Sequence, residues 1–128
     1  MQKIELNNVF IELLSPNIIQ ITIKNNSVIE VEDILAIKKA NLELAKGVKY
    51  GIITESGSNT TVSEKARTLM ATEIIEKDRV ATAFVINNLS QRLLGKFYLK
   101  INKPNTPTKM FSTLKEALIW IESQTKNL

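Results

Sequence analysis

The chain has 128 residues, 44% of them hydrophobic and 23% charged, with a formal net charge of +4; this excludes a disordered polymer and predicts one globular domain, residues 1–128, with a sizeable core. It contains neither Cys nor His, which excludes disulfides, thiolate nucleophiles, metals held by those side chains, and the usual general base near neutral pH. No apolar run approaches the roughly 20 residues that span a bilayer, and no signal-peptide stretch of roughly 7–15 apolar residues follows the first charge, so a cytoplasmic protein is expected.

Residues 8–14 and 18–24 are rich in β-branched side chains, and Ile19, Ile21 and Ile23 alternate with Gln20, Thr22 and Lys24. That period of two predicts a strand with one buried face, and Ser15-Pro16-Asn17 predicts the turn of an antiparallel hairpin. A helix is expected over 31–46. Glu30, Glu32 and Asp33 stand at its positive end, Gly47 follows it, and Ile34, Leu35, Ile37, Leu42 and Ala45 form its apolar face. Residues 49–54 then read as a short, mostly apolar strand in the middle of a sheet.

Thr61-Val62-Ser63-Glu64 matches a capping box, opening a helix with Val62, Ala66, Leu69, Met70 and Ile74 at helical spacing. Residues 79–86 form the next buried strand. Asn88 is placed to cap a helix whose Leu89, Leu93, Phe97 and Ile101 recur every four residues, predicting an inward apolar stripe over 89–101. After a loop with Pro104 and Pro107 come a short strand, 109–111, and a second capping box at Thr113-Leu114-Lys115-Glu116. The box opens a last helix with Leu114, Ala117, Leu118 and Ile121 inward and Trp120 as a half-buried plug.

The order β-β-α-β-α-β-α-β-α predicts an α/β fold: an N-terminal β-hairpin, then alternation, giving a mixed, mostly parallel sheet of about five strands with four helices. This order, with the apolar strand 79–86 and the ending Lys109-Met110-Phe111 before Glu116-Ala117-Leu118-Ile119-Trp120-Ile121, resembles the SpoIIAA-like proteins of the STAS superfamily. The resemblance implies a single STAS/SpoIIAA-like domain acting in regulation or protein interaction. It also implies a phosphorylatable serine after the third strand, where Thr54-Glu55-Ser56-Gly57-Ser58 partly matches an Asp-Ser-Ser-Gly-like turn; Ser56 is the first candidate, with Ser58 and Ser63 behind it. A helix N-terminus would stabilise the added phosphate.

Charge is unevenly placed. Residues 1–64 carry six Lys against eight acids, residues 65–128 eleven Lys or Arg against five acids, and residues 79–115 carry seven basic residues and no acid. Arg92, Lys96, Lys100 and Lys103, spaced by four, four and three, are expected on one helical face opposite the Leu93/Phe97 stripe, with Lys109 extending the patch as an anion- or partner-binding surface. An acidic protein is the most economical partner; the plain alternative is a solvated face. Nucleic acid is disfavoured because Tyr98 is the lone aromatic there able to stack. A membrane surface is disfavoured because the helix lacks an exposed apolar face. Leu94 and Tyr98, outside the expected core stripe, are candidates for an apolar contact or a dimer interface.

Catalysis finds no motif: the four glycines form no phosphate-binding loop, and Asp33, Glu55 and Glu64 could approach one another near strand ends, although the helix dipole explains Asp33 better and the capping box Glu64. No cofactor or metal is expected. Two functions remain, a non-enzymatic interaction domain and a carrier of a lipid or other apolar ligand under the 89–101 helix. A filled core with exposed Leu94 and Tyr98 would favour the first, and an apolar cavity beneath that helix the second.

Overall fold

The computed structural model describes residues 3–73 and 76–126. The chain forms β1 (Lys3–Glu5), β2 (Val9–Ser15), β3 (Ile18–Ile23), β4 (Val28–Ile29), α1 (Val31–Ala45), β5 (Tyr50–Ser56) and β6 (Thr61–Val62). Then follow α2 (Glu64–Thr68), β7 (Arg79–Val85), α3 (Leu89–Phe97), β8 (Thr108–Phe111) and α4 (Leu114–Thr125). Both α2 and α3 run on into a π-helical turn, Leu69–Glu73 and Tyr98–Asn102.

Six strands make one sheet in the order β1-β2-β3-β5-β7-β8. The hairpin β2/β3 and its neighbour β1 are antiparallel, while β3/β5, β5/β7 and β7/β8 are parallel. The mixed α/β class and four helices are as expected, with β5 central. Two features go beyond the sequence reading: β1 lengthens the hairpin, and β4 and β6 form a separate parallel ladder. That ladder moves a helix start. Thr61 and Val62 are committed to β6, so Ser63 caps α2, its Oγ accepting from the Ala66 N–H at 3.2 Å. Ile74, expected at the end of this helix, lies outside the described residues.

Alternation along the central strands gives the sheet two different faces. Ile19, Ile21, Tyr50 and Ile52 face α1 and belong to one core, while Ile18, Ile53, Ala81, Ala83 and Val85 face Ala117 and Ile121 of α4. Small residues let α4 sit close: a Cβ at Gly51 would stand 3.0 Å from Ile121 Cγ2. Thr113 caps α4 and Asn88 caps α3 as predicted, accepting from the N–H of Glu116 and Gln91. Trp120 is half-buried against Phe111, ring centroids 5.7 Å apart. The apolar face of α1 is narrower than expected, since Leu35 and Leu42 are exposed.

Candidate functional site

The helix α3 is turned the other way from its sequence pattern. Its inward side is Gln91, Leu94, Gly95 and Tyr98, an i, i+3, i+4, i+7 set, and Tyr98 is only 7% exposed. Leu89, Leu93, Phe97 and Ile101 point outward. Two contacts fix this rotation. The Gln91 side-chain amide donates to the Gly57 carbonyl at 2.7 Å and to Thr60 Oγ1 at 2.8 Å. At Gly95 the helix comes so near the sheet that a Cβ would stand 2.3 Å from Met110 Sδ. A stripe with Gln and Gly in it does not read as a buried face, which is why periodicity pointed to the wrong side.

Elsewhere α3 stands off the sheet, and a cavity of about 150 Å³ lies between them. Its floor is formed by Ile21, Ile23, Ile52, Thr54, Thr82 and Phe84 of the sheet, its sides by Ile34, Ile37 and Met70, and its roof by Leu94, Gly95 and Tyr98. Tyr98 meets Phe84 edge-on, centroids 6.0 Å apart. Engineered apolar cavities of this size stay dry and bind benzene.

Polar groups interrupt the apolar wall at separate points. Arg67 and Gln91 both line the cavity, and Arg67 Nε and Gln91 Oε1 are buried without a protein hydrogen-bond partner. The Arg67 Nη1 is held by the Val62 carbonyl at 2.6 Å, and its guanidinium carbon lies 5.3 Å from the Phe97 ring centroid. A further cluster gathers around Glu76, whose side chain is 2% exposed. The Tyr50 hydroxyl donates to Glu76 Oε1 at 2.5 Å, the Asn41 amide donates to the same oxygen at 3.0 Å, and Arg79 closes an ion pair on Oε2. Burial and the Glu76 carboxylate push the Tyr50 hydroxyl far above its ordinary range; burial pushes Tyr98 up to about 12. This cluster escaped the sequence reading because Glu-Lys-Asp-Arg at 76–79 has the composition of a solvated turn.

The structure separates several residues that the sequence grouped. Arg92 is half-buried and reaches Ser112 Oγ at 3.2 Å, while Lys96, Lys100 and Lys103 are exposed. Arg92, Lys96 and Lys100 each follow a stripe residue by three, so they flank the outward apolar stripe instead of opposing it. Lys109 belongs to the other side of the sheet, its Nζ 5.9 Å from the ring centroids of Phe111 and Trp120, and does not extend the patch. Leu94 and Tyr98 are not an outer surface, since they roof the cavity. Ser56 ends β5 and lines the cavity; Ser58 is exposed in the following turn, and Ser63 serves as the α2 cap. That turn is tied to the loop after β3, with Ser58 N–H on Asn25 Oδ1 at 2.8 Å. A Cβ at Gly57 would strike the Ile23 carbonyl at 2.7 Å, which explains the glycine by packing. Asp33 accepts from the Asn8 amide and Glu55 from the Gln20 amide, on opposite faces of the sheet, so these two carboxylates do not converge. Among the described residues, no group of three or more His, Cys, Asp or Glu could hold a metal ion, and no helix is long and apolar enough to cross a membrane.

A model of the family described as Domain of unknown function (DUF7793) matches residues 12–125. No curated protein matches the chain. Among solved structures it is similar to an uncharacterized protein of the DUF3478 family with a SpoIIAA-like fold from Shewanella loihica PV-4. The two share 13% identity and a TM-score of 0.57, over 88% of this chain and 91% of that one. The likeness shows a SpoIIAA-like fold, in agreement with the mixed sheet described above.

Proposed function

Since the chain belongs to the DUF7793 family, whose role the family description leaves open, we propose that it is a non-enzymatic binding protein for a small apolar molecule carrying one polar group, held under α3. The observation that carries this reading is the cavity of about 150 Å³ between the isoleucine-rich sheet face and the Leu94/Tyr98 roof. An apolar space of that size favours a compact ring or short-chain occupant; a two-chain lipid is too large. The unpaired Arg67 Nε–H and Gln91 Oε1 suit a hydroxyl or carboxamide, which both accepts and donates. Kinship with the STAS superfamily, a regulatory role for the bound state and a cytoplasmic setting are parts of the same proposal. The lack of cysteine fits a reducing compartment.

The test is native mass spectrometry of the protein purified from its own cells, with p-cresol and benzamide titrated into the stripped protein by NMR. We expect a small retained mass that leaves on denaturation, and saturable shifts at Ile52, Leu94 and Tyr98. Leu94→Trp, which fills the cavity, should abolish both. Gln91→Leu should weaken p-cresol or benzamide binding by at least about tenfold, since it removes the buried Oε1 acceptor and also the two amide hydrogen bonds that set the rotation of α3. A bare mass together with no saturable shift would overturn the reading.

A further inference from the structure

The outer side of α3 carries Leu89, Leu93, Phe97 and Ile101 at 71%, 58%, 46% and 59% exposure. These four large apolar residues lie in a file over 13 residues, twelve steps or about 18 Å of helix at roughly 1.5 Å per residue. In a straight α-helix a spacing of four drifts steadily around the axis, because each residue advances by about 100°. The turn Tyr98–Asn102 is π-helical, and its wider i→i+5 winding advances each residue by less. It therefore turns Ile101 back into line with Leu89, Leu93 and Phe97. Arg92, Lys96 and Lys100 run along one flank of the file, Lys103 follows its end, and residues 79–115 contain no acid.

We infer that this face of α3 docks on the surface of an anionic lipid bilayer, the apolar file entering the headgroup boundary and the basic flank lying over the phosphates. The layout is that of a helix lying in the membrane plane: large apolar side chains on one side, Lys and Arg alongside, with stems long enough to reach the headgroups. A second copy docked antiparallel on this face fits poorly, because the two basic flanks would then lie together. A bilayer also needs no groove shaped to a single convex helix that changes winding partway. The inference stands on the outer face alone and does not depend on what the cavity holds. If both readings hold, the roof of the cavity lies at the boundary where apolar molecules reside.

Co-sedimentation of the full chain with vesicles tests it, using equal parts phosphatidylserine and phosphatidylcholine against phosphatidylcholine alone. We expect the protein to pellet with the mixed vesicles, to stay in solution with the neutral ones, and to bind less as salt rises. Lys96→Gln with Lys100→Gln should weaken partitioning about 25-fold, taking about fivefold for each basic residue near an anionic surface. Leu89→Asn with Leu93→Asn should abolish it while the circular dichroism stays unchanged, since both side chains are already exposed. Absence of binding to the mixed vesicles would overturn the inference, as would binding that ignores the Leu89/Leu93 pair. Capture of an acidic amphipathic peptide by the same residues, with no vesicle binding, would overturn it too and assign the face to a protein partner.

Discussion

Tyr50 and Tyr98 are the only two tyrosines in the chain, and both are buried, at 0% and 7% exposure. Their hydroxyls have different surroundings, Tyr50 bonding the Glu76 carboxylate and Tyr98 feeling the positive charge of Arg79, yet burial acts on both in one direction. Each folded-state pKa lies above the unfolded value near 10, with Tyr98 at about 12. The folded chain therefore keeps protons that the unfolded chain releases. Their contribution to stability is complete below about pH 10 and is lost as pH rises toward 12, at up to ~1.4 kcal/mol per tyrosine per pH unit. The native protein should show no tyrosinate absorbance as pH passes 10, and both tyrosines should ionise together when the fold gives way. A free titration near pH 10 with circular dichroism unchanged would mean that at least one hydroxyl reaches solvent.

At the scale of elements, α3 differs from its neighbours in how it is held. The helix α4 lies directly on β5 and β7, with Gly51 and the alanines letting it close. Contacts of α3 with the sheet side are few: Gly95 on Met110 and Ile86, Gln91 on Gly57 and Thr60, Tyr98 on Phe84. A cavity lies under the remainder. Local opening of α3 should therefore cost less than global unfolding. Asn88→Ala removes a cap worth about 1 kcal/mol. Hydrogen exchange should then quicken about fivefold across residues 92–101, while β5 and β7 amides keep their protection. Equal acceleration throughout would show that α3 opens only with the whole fold. A loosely seated roof is also what a binding protein needs for its ligand to enter.

For the whole molecule, the two faces of the sheet are built to different tolerances. The α4 face is filled with small residues at close range, Ala81, Ala83 and Ala117 all at 0% exposure. The α1–α3 face is built from isoleucines that leave space. Ala83→Leu should therefore overpack the first face and lower stability by about 1–3 kcal/mol in a denaturant titration. A large residue at Leu94 on the second should be absorbed by the cavity with little loss. Equal destabilisation by the two variants would mean that the cavity side is as rigid as the alanine side.

The sequence by itself determined the class of fold and most of its elements. A period of two marked β2 and β3, the Asn88 and Thr113 caps marked where α3 and α4 begin, and strand–helix alternation required parallel pairing. These are local signals, carried by residues within a turn or two of one another. Which side of α3 is buried was decided only in three dimensions. Leu89, Leu93, Phe97 and Ile101 make the stronger apolar stripe, yet Gly95 alone allows the close approach to Met110, and Gln91 finds its acceptors in the loop that joins β5 to β6. The Glu76 cluster likewise gathers Asn41, Tyr50 and Arg79 from α1, β5 and β7. Burial of a polar or glycine-bearing face depends on partners far along the chain, and no local period encodes them.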